Sequence, residues 1–325
     1  MVAGIFRSNQ PAVLFLAPLV VLGLFLPDLA HGAVSRPGLM PLAAAMERLL
    51  GNVGWLRQSV GLLLVLVLAV QTALLVNGLE LMDRRNHLVA LLVPLFVAGL
   101  CGPVLYEPAL LGMPLVLLAF RRLWAIGNTG HVLGVVFDAG FLLGLASLCY
   151  LPYAFLIVVI WASVSVVRPF AWREYVLPVL GSATVFYLAW AGLRLAGSEP
   201  WQPLLTVLRS DIGAAAVVGG SPTRTSFLAM AGTLLVFALM AFGNSYARTI
   251  MRGKNLRSSF MAFVVALVVL VLSLLAISGV FPPVLLAVPA AVLCAHALLA
   301  PRKAWLAEAA TLVLVVCGLW IRWAG

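Results

Sequence analysis

Residues 137–175 read FDAGFLLGLASLCYLPYAFLIVVIWASVSVVRPFAWREY. Asp138 opens an apolar helix, Pro152 marks a turn, and a second apolar run follows to Val167. Two such runs joined by a tight turn form a hairpin that crosses a bilayer twice, because only segments that satisfy their own backbone groups persist in hydrocarbon. Gly140 and Gly144 stand one turn apart and allow another helix to approach closely. Arg168-Pro169-Phe170-Ala171-Trp172-Arg173-Glu174 closes the unit as a charged elbow, with Trp172 and Tyr175 at interface depth.

The rest of the chain has the same texture. Of its 325 residues, 64% are hydrophobic and 9% charged, against roughly 25% charged in a soluble domain. Such a chain cannot cover a water-facing surface. The expected fold is all-α: a polytopic transmembrane helix bundle forming one integral membrane domain over residues 1–325. Eleven spans are expected, at about 11–27, 58–77, 88–106, 108–120, 132–150, 151–167, 175–194, 226–244, 259–279, 282–299 and 304–321. The fourth is short for a bilayer needing roughly 20 residues, so it is tilted or extends through Arg121 and Arg122, and a count of ten is the alternative. The run from Pro11 to Pro27, followed by Ala30-His31-Gly32, has features of a signal peptide. It reads here as the first transmembrane helix.

The net charge of +10 does not indicate nucleic acid, because the charges fall in short loops between apolar runs. Thirteen of the twenty lysines and arginines fall in alternate segments with the N-terminus, among them Arg84, Arg85, Arg121, Arg122, Arg252, Lys254 and Arg257. By the positive-inside rule those segments and the N-terminus are cytoplasmic. The seven others, Arg36, Arg48, Arg57, Arg194, Arg209, Arg224 and Arg322, then lie outside. Two outer loops are long, 28–57 and 195–225. The first contains Pro41–Leu50, whose Leu42, Met46, Leu49 and Leu50 share a helical face suited to the membrane surface.

No Walker loop, dinucleotide fingerprint, zinc spacing or nucleophile elbow occurs, so neither cofactor nor metal is expected. Cys101, Cys149, Cys294 and Cys317 lie in apolar runs without a CxxC pair and read as buried thiols. Asp138 is the carboxylate well inside a span and needs a partner; His131, seven residues back on the same face, Arg168 and Arg173 are the candidates. Either a clamp between helix ends or a proton or substrate site would use it. On the outer side, Asp28 follows the first span directly, and Arg36, Arg194, Arg209 and Arg224 lie in outer segments. A carboxylate base beside cations is what chemistry on a lipid-linked phosphate requires. Solvated loop charge explains the same residues without chemistry.

The segments FRSNQP (6–11), QTALLVNGLELMDRRNHLVALLVPLF (71–96) and DAGFLLGLASL through RPFAWREY resemble a family of uncharacterised polytopic inner-membrane proteins of Gram-negative bacteria, a domain of unknown function. That likeness spans about residues 5–190 and implies a bacterial inner-membrane location without implying an activity. A more distant resemblance is to the membrane module of GT-C glycosyltransferases, which use polyprenyl-phosphate sugar donors. It rests on Ala139–Pro152 through Arg173, and divides the chain into a GT-C-like part, 1–190, and C-terminal helices, 191–325. It implies a catalytic acid at Asp28, phosphate-binding roles for the outer arginines, and a polyprenyl-phosphate carrier as partner. The second acid of that family is absent, since Leu29-Ala30-His31 follows Asp28, which points to a degenerate relative. Three function classes result: handling of polyprenyl-phosphate-linked glycan at the outer face, a non-catalytic membrane subunit or scaffold with a membrane-protein partner, and a transporter using Asp138.

Overall fold

The computed structural model describes residues 2–7, 10–30, 40–51, 53–101, 106–126, 132–167, 171–197, 222–278, 282–299 and 304–323. Among them the regular structure is helical throughout. A short α1 (Val2–Phe6) precedes a 3-10 turn (Pro11–Leu16) that leads into α2 (Ala17–Ala30); α3 (Pro41–Leu50) and α4 (Gly54–Gly78) follow. Then come α5 (Leu88–Leu100), α6 (Pro108–Trp124), α7 (Val132–Cys149), a second 3-10 turn (Leu151–Leu156), α8 (Ile157–Val167) and α9 (Trp172–Leu195). The last four are α10 (Pro222–Arg248), α11 (Met251–Ser278), α12 (Val284–Leu299) and α13 (Ala304–Trp323). Apart from α1 and α3, each falls on one of the eleven expected spans. Seven are long and apolar enough to cross a membrane, and this is a polytopic all-α membrane protein.

Successive spans run in opposite directions, so the bundle has two ends. One carries Asp28, the C-terminal end of α5 and Arg322; it is called the Asp28 face. The other carries Asp83, Arg122 and Arg257; it is called the Arg257 face. Cross-bundle contacts hold each end together: Arg322 meets Asp28 at the first, and Arg257 meets Asp83 at the second.

Not every span reaches from face to face. Helix α5 has 13 residues and α12 has 16, which makes them about 20 and 24 Å long at 1.5 Å per residue. The hydrocarbon layer is roughly 30 Å thick. Both are apolar on all sides and buried along almost their whole length, as expected of helices at the centre of a bundle. They pack against each other, with α4, α2 and α13 also on α5, and α10 on α12. Their exposed neighbours carry the lipid-facing side chains: Phe237, Met240, Leu272 and Trp320 are among the large apolar groups left outside.

The 137–175 hairpin forms, but its glycines serve a third helix. A Cβ placed on Gly140 would lie 2.2 Å from the Pro178 carbonyl oxygen, and one on Gly144 would lie 3.0 Å from Ser182 Cα. From the other side, a Cβ on Gly181 would lie 2.5 Å from the Phe137 carbonyl oxygen. Helices α7 and α9 therefore cross with backbones in contact, and Ser182 Oγ donates to the Gly140 carbonyl at 2.8 Å. This is small-residue packing between membrane helices. Helix α8, the other arm of the hairpin, packs chiefly against α11. Tyr153 at the turn is buried, fills the space above Gly112, and donates to the Ala109 carbonyl.

The amphipathic piece is the helix α3, and it is docked on protein. Its Ala43 and Leu50 are buried, and Met40 and Leu42 pack with Leu148 at the end of α7 and Val185 in α9. Leu49, on the face expected to meet the membrane surface, is exposed. The four cysteines are free thiols, three of them buried.

Candidate functional site

Asp28 lies in the last turn of α2 and is buried. Its Oδ2 accepts from Arg322 Nη1 at 2.9 Å, with both side chains almost wholly shielded from solvent. Arg322 also donates through Nη2 to the carbonyls of Val97 and Cys101, each at 3.3 Å, and its guanidinium sits 4.9 Å from the Phe25 ring centroid. Arg224, from α10, donates to the same Cys101 carbonyl at 3.1 Å. Asp28 and Arg224, more than 190 positions apart, are thus brought to one place with Arg322 as the link.

The reason lies in the short α5. Its last carbonyls end inside the bundle, where an unbonded carbonyl costs several kcal/mol on the order expected in hydrocarbon. Arg322 and Arg224 satisfy the Cys101 carbonyl, and Arg322 adds to a Val97 carbonyl that already accepts from the Cys101 N–H at 2.9 Å. Both cations complement the negative end of the helix dipole. The buried Arg322 guanidinium then needs a counter-charge, and Asp28 supplies it. Removing a partner from such a buried pair costs about 3–5 kcal/mol. The arrangement recurs across the molecule. Arg7 donates to the Leu298 carbonyl at the end of α12. Arg57 donates to the Gly51 carbonyl while pairing with Glu47 at 3.2 Å, and Arg257 donates to the Leu81 carbonyl at 3.3 Å.

The other expected site residues are placed less compactly. Arg194 is exposed at the end of α9, with its guanidinium 6.0 Å from the Trp190 ring centroid. Arg36 and Arg209 lie outside the described residues, as does His131. Asp138 sits two turns into α7 rather than at its opening. Its Oδ2 accepts from Arg122 Nη1 at 2.6 Å, and both side chains are about half exposed. The partner on α6 is not among the candidates His131, Arg168 and Arg173; it belongs to the Arg121–Arg122 pair, which the helix includes by running to Trp124. Gly140, two residues on, faces α9 instead, as a 200° rotation requires.

Two groupings were not foreseen. Arg322 reads in sequence as an outer-face cation closing the last span, and its segment carries no mark of a buried partner. At the Arg257 face, Asp83 accepts from Arg257 at 2.7 Å and from Ser245 Oγ at 2.8 Å. Burial by itself would raise the Asp83 pKa, but the hydrogen bonds from Arg257 and Ser245 more than offset this and hold it below the ordinary value. Among the described residues no group of three or more His, Cys, Asp and Glu side chains could hold a metal. Comparison with protein-family models, curated proteins and solved structures finds no match.

Proposed function

We propose that this protein is a non-catalytic membrane subunit or scaffold of the bacterial inner membrane, with the Asp28 face outside and the N-terminus in the cytoplasm. The observation that carries this reading is the Asp28–Arg322 pair: the oxygen a general base would use is engaged by a guanidinium that is itself bonded to the end of α5. A base must accept a proton from a bound acceptor; a carboxylate that neutralises a buried helix cap is a structural counter-ion. The many apolar side chains on the outer helices provide lipid-facing and partner-facing surface. The higher density of arginine at the Arg257 face supports the orientation.

A second reading is kept by one feature. Arg224 and Arg322 converge on a single carbonyl oxygen beside Asp28, and paired guanidiniums at the end of a span suit a polyprenyl-phosphate carrier, as in a degenerate GT-C relative. The discriminating experiment compares Asp28→Asn with the parent in two assays: the melting temperature of the purified protein, and photo-crosslinking to a polyprenyl-phosphate probe. The structural reading expects a large fall in melting temperature for Asp28→Asn and no saturable crosslink to the Asp28 face in the parent. A saturable crosslink in the parent that Asp28→Asn abolishes, with melting unchanged, would overturn it in favour of the carrier.

A further inference from the structure

At the Arg257 face a cavity of about 970 Å3 opens between the segment after α4 and the turn joining α10 to α11. That volume is at the upper end of the range for small-molecule sites. We propose that it binds the phosphate of an anionic headgroup, with Arg85 and Arg252 as the principal donors. Both line the cavity, and both are exposed. Asn255 adds a neutral hydrogen-bonding group to the same walls, while the Thr249 hydroxyl is engaged by Arg257 and the Ser245 carbonyl.

The charges support an anion even though two carboxylates share the site. Arg85, Arg252 and Arg257 line it against Glu80 and Asp83, three cations to two anions. Asp83 is committed to Arg257 and Ser245. Glu80 meets Arg85 at 3.8 Å with both side chains well exposed, a contact worth little in water, so Arg85 can turn to a better partner. Arg257 is buried and held by Asp83, Thr249 and the Leu81 carbonyl; it forms the floor of the cavity.

A second observation concerns the helix that Arg252 opens. Helix α11 has 28 residues and begins at the cavity, yet its first turn contains no acidic residue. It carries Arg252 and Lys254 there, positive charge beside the positive end of a helix dipole. That placement is unfavourable by itself. An anion resolves it, because first-turn N–H groups lack intrahelical partners and favour phosphate.

The cavity also has the walls of an amphiphile site. Leu79, Met82, Ile250 and Leu256 line it with the polar groups, and Ile250 and Met251 are largely exposed at the start of α11. Basic pockets between membrane helices take the headgroups of anionic lipids. The phosphate could equally belong to a soluble ester, and the two sources are separable.

The test uses the full-length protein, delipidated in a neutral detergent. Native mass spectrometry and thermal shift are recorded with phosphatidylglycerol, phosphatidylcholine and sn-glycerol 3-phosphate. The parent is expected to bind phosphatidylglycerol about tenfold more tightly than phosphatidylcholine, and Arg85→Ala combined with Arg252→Ala is expected to remove that preference. Because both side chains are exposed, the double variant should melt with the parent in detergent alone, which separates lost binding from lost folding. Tight binding of sn-glycerol 3-phosphate would assign the phosphate to a soluble ester; binding of phosphatidylglycerol alone would assign it to a lipid. Equal binding of the two phospholipids with no binding of the ester, or an unchanged preference in the double variant, would overturn the proposal. The cavity lies at the opposite end from Asp28, so its test and the Asp28 substitutions fail or succeed separately.

Discussion

Two carboxylate–arginine pairs in this protein look alike on paper and differ in what they do. Arg122–Asp138 is the shorter, at 2.6 Å, and Arg322–Asp28 is 2.9 Å. The shorter one has side chains 53% and 48% exposed, whereas the longer has 3% and 6%. Distance therefore ranks them the wrong way round for energy. An exposed pair trades hydration for a screened attraction and gains little. A buried pair is coupled to everything that surrounds it, and losing one member strands the other in a low dielectric. Arg322 has further obligations to Val97 and Cys101, so Asp28 stabilises the end of α5 indirectly.

The widest separation of the two pairs comes from substitution of their acids. Asp28→Asn leaves Arg322 buried without its counter-ion and is expected to cost about 3–5 kcal/mol. A melting temperature within a degree or two of the parent would remove Asp28 from the structural frame. Next in size is the packing control: Gly140→Leu should cost at least about 1–3 kcal/mol, the usual range for overpacking, since even its Cβ collides with the Pro178 carbonyl. Gly134→Leu on the same helix, where a Cβ meets nothing within 4 Å, should melt with the parent. Equal losses at the two glycines would contradict the α7–α9 crossing.

Between the two pairs lies Asp83–Arg257, with one buried and one exposed partner: the Arg257 side chain is 3% exposed and that of Asp83 71%. Asp83→Asn should cost about 1.5 kcal/mol or less, the low end for a charged hydrogen bond, because Arg257 keeps two other acceptors. Its pH dependence has a definite sign. The folded pKa lies below the ordinary 3.8, so the stabilisation is present above that value and is lost as pH falls through the lower folded value. The acid limb of a melting-temperature profile should therefore be shallower in Asp83→Asn than in the parent. Parallel limbs would mean that the pair contributes nothing.

How far these features could be read from sequence depends on how local their causes are. The polytopic helical fold and the positions of its apolar helices were legible because long apolar runs have only one way to satisfy their backbones in a bilayer. The Gly140/Gly144 spacing announced a close neighbour, but not α9, because Gly181 and Ser182 become relevant only once the fold is known. Asp28 stood out as a carboxylate at a span end. Its partner is 294 positions away, and nothing in the Leu319–Trp323 segment distinguishes a buried arginine from a snorkelling one. Arg122 was hidden for a related reason: positive-inside counting assigns arginines to loops, and this one reaches back along α6 to Asp138. The shortness of α5, which explains the arginine caps, was masked by expecting the span to run to Tyr106.

The smallest effect concerns the residue that was most conspicuous in the sequence. Asp138→Asn should change stability by less than about 1 kcal/mol. Both members of its pair are half exposed at the Arg257 face, so Arg122 can turn to water or lipid phosphate when the carboxylate is lost. The rest of α7 is held by α9 and α6 through contacts that do not involve Asp138. A proton or substrate site at Asp138 would differ in one readout: a transport or binding activity would disappear on the same substitution. The two outcomes separate in a double-mutant cycle of Asp138→Asn with Arg122→Gln. A coupling energy below about 0.5 kcal/mol is the expectation for an exposed clamp. A coupling above about 2 kcal/mol would mean that this pair, like Asp28–Arg322, is effectively buried, and the contrast between the two pairs would collapse.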